Sequence, residues 1–193
     1  MNLEISKIAN LPTAYGDFKI QSFKQNDKEH LAIFTFTIPQ IPTVRIHSEC
    51  LTGDIFGSKR CDCGDQLHKS LESINEKGEG LLIYLRQEGR GIGIYNKLKA
   101  YNLQDQGHDT VEANHLLGFK DDLRDFAVAA QIIKDFDIKS IEILTNNPKK
   151  IESLEKYGID VKKRIDSETE PTTENKKYLE TKRDKMGHYI LKK

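Results

Sequence analysis

The sequence has no fourth cysteine: its three, Cys50, Cys61 and Cys63, all lie between positions 45 and 63. An odd count without a spaced framework excludes a disulfide-stapled secreted scaffold and fits a reducing compartment. There is no excess of charge either, because thirty Lys and Arg balance thirty Asp and Glu. No global field therefore draws the chain to nucleic acid or membrane, and neither is expected as a partner; an anionic ligand has to be met by a local cluster. No apolar run approaches the ~18 residues that span a bilayer. The opening segment MNLEISKIANLPTAYGDFKI lacks the basic-then-apolar pattern of a signal peptide, so the expected location is cytoplasmic. Internal repeats and low-complexity tracts are also missing. What remains is an ordinary composition, 37% hydrophobic and 31% charged over 193 residues, suited to one domain with a real core.

The stretch RIHSECLTGDIFGSKRCDC, from Arg45 to Cys63, holds every thiol. Three thiolates fill three corners of a tetrahedral zinc site and leave the fourth for water or substrate. That is the arrangement of catalytic zinc, whereas structural zinc is usually closed by four protein ligands. Zinc in an open site brings the pKa of bound water to about 7, a nucleophile at neutral pH. Two other readings stand beside this one. The cysteines can be small buried apolar residues, although Cys-x-Cys spacing and polar flanks weigh against that. His47, in His-x-x-Cys with Cys50, can close the site, although strand alternation puts positions 47 and 50 on opposite faces.

In chain order, residues 1–44 read as strands and turns, with a β-branched and aromatic run from His30 to Ile38 after the turn signal Asn26-Asp27. Thr43 to Ser48 is a strand bounded by prolines. Leu67, Leu71 and Ile74 repeat at helical spacing up to a stop at Gly78, and Gly80 to Leu85 is a buried strand. The loop RQEGRGIG, Arg86 to Gly93, then leads into a helical pattern through Ile94, Leu98 and Tyr101. Strand, glycine-rich loop and helix can cradle an anion, and a tight turn explains the glycines equally well. Asp109 with Glu112 reads as a helix N-cap. A charged loop at 119–125 precedes an amphipathic helix to about Phe136, a strand over Ser140–Leu144, a helix with Pro148 at its first position, and a last short strand from Ile159 to Lys162. Residues 163–175 read as a polar, mobile connection, and Lys176–Leu191 as a basic helix. The expected fold is a layered α/β domain with a mixed, largely parallel sheet over 45–162. A short N-terminal β region (1–44) precedes it, and a polar loop and C-terminal helix (163–193) follow.

Ligands of open α/β sheets collect beyond the carboxyl ends of the strands. Four polar segments lie after or close to expected strands and are expected to share one cleft: 45–63, 86–93, 119–125 and 145–150. They supply three thiolates, the cations Arg45, Arg90, Arg124 and Lys150, and the carboxylates Glu49, Glu88 and Asp122. Such a set suits a phosphate-bearing substrate whose heterocycle meets a metal. Taken singly, each charged residue is also an ordinary solvated surface group.

Several runs together resemble the GTP cyclohydrolase II family of riboflavin biosynthesis. They are RIHSECLT (45–52), RCDCG (60–64), RQEGRGIG (86–93), LQDQGHDTVEAN (103–114), Arg124–Phe126, TNNPKK (145–150) and KMGH (185–188). The resemblance implies a zinc-dependent hydrolase of cyclic amidine C–N bonds. It would convert GTP to formate, diphosphate and 2,5-diamino-6-(5-phosphoribosylamino)pyrimidin-4(3H)-one. By position, Cys50, Cys61 and Cys63 would hold one zinc per subunit. Arg124 would be the family's proposed nucleophile at the α-phosphorus, Asp122 its proton acceptor and Tyr101 a proton donor. Guanidinium is almost always protonated, so the chemistry favours Arg124 as a phosphate clamp; both roles stay open. Arg45, Ile46, His47, Ser48, Glu49, Gln66, Glu88, Gly89, Arg90, Thr110, Thr145 and Lys150 match the family's GTP contacts. Magnesium would accompany the triphosphate, and the family implies a homodimer. The chain departs from the family's pattern at 164–177, RIDSETEPTTENKK, which touches no catalytic position. A paralogue with partial ring opening, and a non-catalytic zinc-binding scaffold closed by His47, are the competing readings.

Overall fold

Asn26, in the left-handed region at φ 54°, and Asp27 turn the chain between two long strands, because short polar side chains tolerate that conformation. The computed structural model describes residues 2–191; positions 1, 192 and 193 of the expected terminal parts lie outside them. The strands are β1 (Glu4–Ile5), β2 (Ala9–Thr13), β3 (Gly16–Gln25), β4 (Lys28–Phe34), β5 (Thr43–Ser48), β6 (Leu81–Leu85), β7 (Ser140–Leu144) and β8 (Asp160–Ile165). The helices are α1 (Leu51–Asp54), α2 (Cys63–Lys77), α3 (Gly93–Asp105), α4 (Thr110–Leu116), α5 (Ala127–Asp135), α6 (Pro148–Lys156) and α7 (Lys176–Met186), with a 3₁₀ turn at Glu88–Gly91.

One eight-stranded sheet runs in the order β1-β3-β4-β6-β5-β7-β8, with β2 also paired to β3. The β1–β3, β2–β3, β3–β4 and β4–β6 pairs are antiparallel, while β5–β7 and β7–β8 are parallel. The layered α/β fold with a mixed sheet, N-terminal strands and a C-terminal helix is the one the sequence leads to. Its antiparallel share is larger than the helix–strand alternation suggests. The N-terminal strands are joined by short turns and extend the sheet through β4 onto β6, whereas the parallel pairs need crossovers through α5 and α6.

The chain divides into two compact units. The first comprises Met1–His47, Leu67–Arg86 and Asp125–Ser167; the second comprises Ser48–Gln66, Gln87–Arg124 and Glu168–Lys193. In the first unit strand alternation sends side chains to two apolar clusters. Leu81, Ile83 and Leu85 of β6 join Val44 and Ile46 of β5, Ile141 and Ile143 of β7, and Ala129, Ile132 and Ile133 of α5. Leu82, on the other face of β6, packs with Phe18, Leu71 and Ile74. A strand lined by both clusters has no solvent face, which is why β6 reads as an unbroken apolar run. Arg45 and His47 alternate with Val44 and Ile46 and so share the opposite face of β5. They are 4% and 2% exposed, a burial that polar side chains reach only with partners.

The second unit is helical, holding α1, α3, α4, α7 and the 3₁₀ turn. Asp109 accepts from the Val111 and Glu112 amides at 2.8 and 3.1 Å, and Glu112 accepts from the Asp109 amide at 3.1 Å, a reciprocal capping box. In the first unit, Asn147 caps α6 through the Lys149 amide at 3.0 Å, with Pro148 following. The connection after the last strand differs from expectation. β8 runs on to Ile165, and Ser167 and Asn175 are buried. Arg164 and Ser167 both donate to Asn146 Oδ1, at 2.9 and 3.2 Å, so this polar stretch is held by hydrogen bonds that its composition conceals.

Candidate active site

The second unit gathers the thiols. Cys50 ends an extended segment at the start of α1, where its amide donates to Asp54 Oδ2 at 2.9 Å and its carbonyl accepts from the Asp54 amide at 2.7 Å. Cys61 and Cys63 flank Asp62 at the entrance to α2. The ligand atoms of Cys50, Cys61 and Cys63 all lie within 4.8 Å of one another, and no other group of three or more His, Cys, Asp or Glu is placed to hold a metal ion among the described residues. Cys50 Sγ is 3.6 Å from Cys61 Sγ. Zn–S bonds of about 2.3 Å at tetrahedral angles require sulfurs about 3.8 Å apart, so the trio fits zinc. Gly53 lets the sulfurs come so close: a Cβ there would stand 3.0 Å from Cys61 Sγ and 3.2 Å from Cys50 Sγ.

Electrostatics agree with a cation-binding set. Hydrogen bonds from Cys61 and Cys63, then the charge of Lys97, pull the Cys50 thiol far below its usual range in spite of burial. The hydrogen bond to Cys50, then burial and the Cys50 charge, push Cys61 up to about 11, and hydrogen bonds to Cys50 and Cys61 with burial hold Cys63 well above its usual value. Three adjacent thiolates repel one another, and a metal ion removes that conflict.

Around the thiols, Tyr101 Oη lies 3.0 Å from Thr52 Oγ1, which lies 3.8 Å from Cys50 Sγ. Burial raises the Tyr101 pKa, against the opposing pull of Thr52 and Lys97. Glu88 Oε2 accepts from the Leu51 amide at 2.6 Å, and Oε1 accepts from the Gly89 amide at 2.7 Å and from Lys97 Nζ at 2.8 Å. Gly89 and Arg90 both adopt left-handed backbone, φ 61° and 60°. That conformation suits Gly89 and strains Arg90, the kind of cost found at functional turns. Arg90 Nη2 is buried without a hydrogen-bond partner, which marks it as a waiting donor. Gly91 answers a packing need, since a Cβ there would meet Leu123 Cβ at 3.0 Å; part of the glycine pattern is therefore a tight turn.

The 119–125 segment is a loop, as its charge pattern suggests. There Arg124 grips Asp122 with two parallel hydrogen bonds, Nε to Oδ1 at 2.9 Å and Nη2 to Oδ2 at 2.7 Å. Burial disfavours both charges, but the pairing outweighs it: the Asp122 pKa lies below its usual value and that of Arg124 above. Gln66 donates to Asp62 at 2.5 Å, Thr110 is the first residue of α4, and Ser48 Oγ is buried without a partner. Glu49 is half-buried.

The other residues singled out by sequence belong to the first unit. Arg45 Nη1 donates to the Leu144 carbonyl at 3.1 Å and to Ser167 Oγ at 3.0 Å, and Lys150 Nζ to the Ile46 carbonyl at 2.7 Å. Thr145 Oγ1 accepts from the Asn147 amide at 3.1 Å. The Ile46 side chain sits in the apolar core, which leaves only its backbone for a ligand. His47 stacks on Tyr84, ring centroids 5.5 Å apart, and is no member of the thiol cluster.

Sequence reasoning passed over Lys97, whose ammonium lies 3.1 Å from Cys50 Sγ, and Lys182, which pairs with Asp62 at 2.7 Å. Burial opposes the charge on Lys182, but Asp62 outweighs it and holds the lysine above its usual range. Asp62 carried a signal, standing between two cysteines; its partner, 120 positions away, carried none.

Comparison with known proteins adds a family to this geometry. A family described as GTP cyclohydrolase II matches residues 4–166. A GTP cyclohydrolase-2 of Campylobacter hominis is 53% identical over 190 residues, covering 98% of this chain and 97% of that protein. A GTP cyclohydrolase-2 of Helicobacter acinonychis is 52% identical over 192 residues, 97% of this chain and 98% of that protein. The riboflavin biosynthesis protein RibBA of Chlorobium phaeovibrioides is 52% identical over 186 residues, 94% of this chain but 45% of that protein. The chain thus spans a little under half of the Chlorobium protein and nearly all of the other two.

Proposed function

The chain belongs to the GTP cyclohydrolase II family, and from that premise we propose that it hydrolyses GTP to formate, diphosphate and the diaminopyrimidine ribotide, the entry reaction of riboflavin biosynthesis. The observation that carries this reading is the trio of sulfurs at zinc-compatible spacing with Tyr101 and Glu88 beside it. Cys50, Cys61 and Cys63 would hold zinc, which when bound acts as a Lewis acid and brings water's pKa to about 7. Tyr101, its pKa raised by burial, keeps its proton at neutral pH and offers it from Oη. Arg90 offers a buried N–H, and Glu88, with three of about four lone-pair sites taken, keeps capacity for one guanine N–H.

Arg124 takes part as a charged clamp on the α-phosphate. Its pairing with Asp122 fixes the guanidinium plane and favours the protonated form, which has no lone pair to attack phosphorus. Asp122 orients it. In the first unit Arg45 and Lys150 are buried cations suited to phosphate, with His47, Thr145 and the Ile46 backbone beside them in sequence or on the same strand. Ser48, Glu49, Gln66, Gly89 and Thr110 complete the proposed nucleotide contacts. The same reading carries magnesium with the triphosphate, one domain, a homodimer and a cytoplasmic location; among the described residues no helix is long and apolar enough to cross a membrane.

The test is to incubate the zinc-loaded protein with GTP and magnesium and to quantify all three products. Equal amounts of formate, diphosphate and pyrimidine are expected. Pyrimidine without diphosphate would point to a partial ring-opening paralogue, and zinc retention without turnover to a scaffold. Arg124→Ala should suppress diphosphate release, and undiminished release by that variant would remove the clamp from the mechanism.

A further inference from the structure

Lys97 lies on α3 one turn before Tyr101, with a side chain 12% exposed. Its ammonium donates to Cys50 Sγ at 3.1 Å and to Glu88 Oε1 at 2.8 Å, and it lies 5.7 Å from the centroid of the Tyr101 ring. Glu88 is in turn committed to the cysteine loop, because Oε2 accepts from the Leu51 amide at 2.6 Å. Cys50 is therefore held from its side chain by Lys97, and from the next peptide by Glu88, with a single ion pair joining the two anchors. A carboxylate offers about four lone-pair sites. Three are occupied here, by the Leu51 amide, the Gly89 amide and Lys97, so Glu88 spends most of its capacity on its own chain.

We propose that Lys97 is a positioning residue of the metal centre, tying the Cys50 sulfur to Glu88 and balancing the charge of a trithiolate site. The inference rests on the reading that the three cysteines hold zinc. Three thiolates around a divalent cation leave one net negative charge, with the Glu88 carboxylate facing it. Lys97 is the cation placed between them. Without it, two anionic groups confront each other across a half-buried gap, and both the sulfur and the carboxylate lose the contact that fixes their direction. Groups that orient metal ligands typically change metal affinity 10–100-fold when removed.

The experiment is a chelator-competition titration of zinc on the full chain, paired with the thiolate-to-cobalt charge-transfer band of the cobalt(II) form. Lys97→Met and Lys97→Gln should each weaken zinc binding about 10–100-fold and shift that band. Lys97→Arg, which keeps the charge, should recover most of the loss. Glutamine keeps donors at similar reach and decides the question if methionine impairs folding. Zinc affinity and cobalt spectrum unchanged in Lys97→Gln would overturn the role assigned to Lys97. Failure of the unsubstituted protein to bind zinc at all is a distinct result, and it would remove the metal reading on which the inference stands.

Discussion

The two units are held together by different physics. Both apolar clusters lie within the first unit, from Phe18 and Phe23 on β3 to Leu154 and Ile159 around α6. Buried area and strand ladders stabilise it, and its buried polar groups are guests in an apolar frame. In the second unit, buried Asp62, Gln87, Glu88, Asn114 and Lys182 stand among the cysteines and scattered apolar residues such as Ile92, Leu179 and Met186, none of which belongs to either cluster. Charges taken out of water stabilise little unless each has a partner. A region organised this way depends on its ion pairs, and a cation on the three cysteines would add to its stability. Ordinary stability has been concentrated in one set of segments, while the chemistry occupies segments that trade stability for reactive groups.

Substitutions can break that contrast or sharpen it. The largest effect is expected from Cys61→Ser, with metal content and ring opening lost together, the activity by about a thousandfold or more. Amide exchange should quicken in residues 48–66 and 87–124 while β6 and β7 stay protected. Turnover persisting in metal-free protein would falsify the zinc mechanism. Next is Lys182→Met, which leaves the buried Asp62 carboxylate without its cation, only Gln66 still donating to it, and should cost about 3 kcal/mol in denaturant unfolding. A double-mutant cycle with Asp62→Asn should show a coupling of at least about 1 kcal/mol; additive costs would mean that the pair holds nothing. Ile143→Ala probes the opposite side of the comparison. A fully buried isoleucine of β7 is removed at a cost of about 3 kcal/mol, with zinc affinity unchanged. Zinc affinity falling in step would show that the two units do not divide the labour as described.

The last effect depends on pH and is all but absent at neutrality. His30 is buried, accepts from the Arg86 amide at 3.1 Å through Nδ1, and has its pKa pushed down to about 4 by burial first and then by Lys28 and Arg86. Above pH 6.5 the imidazole is neutral in both states and adds no pH dependence. Between 6.5 and about 4 the unfolded chain takes up a proton that the fold refuses, so stability drains away as pH falls, by about 3 kcal/mol at most. Below about 4 that loss is complete. His30→Asn keeps an acceptor for Arg86 and should flatten the stability profile across this window relative to the unsubstituted protein. Identical profiles would place the proton uptake elsewhere.

Legibility followed the range of the interaction. β5 and β7 were readable to the residue, as were the Asp109 cap and Pro148 at the head of α6, because each depends on neighbours within a few positions. The thiol cluster was readable because its ligands fall within fourteen residues, Cys50 to Cys63. The stretch 163–175 was misleading: its polar composition suggests a mobile connection, but β8 continues to Ile165 and Asn146 receives Arg164 and Ser167. Lys97 and Lys182 look like any surface lysine in the sequence, and nothing local shows that a thiolate and an aspartate bury them.

By itself, the sequence determined the alternation of helices and strands, the caps, the absence of a membrane-spanning run and the grouping of the three thiols, since periodicity, turn chemistry and residue type are local quantities. Only the tertiary structure decided which group answers each buried charge. It paired Lys182 with Asp62 across 120 positions, Lys97 with Cys50 and Glu88, and Arg45 with Leu144 and Ser167. The cost of leaving a charge alone in a low-dielectric interior is settled by distances in space, and spacing along the chain does not encode them.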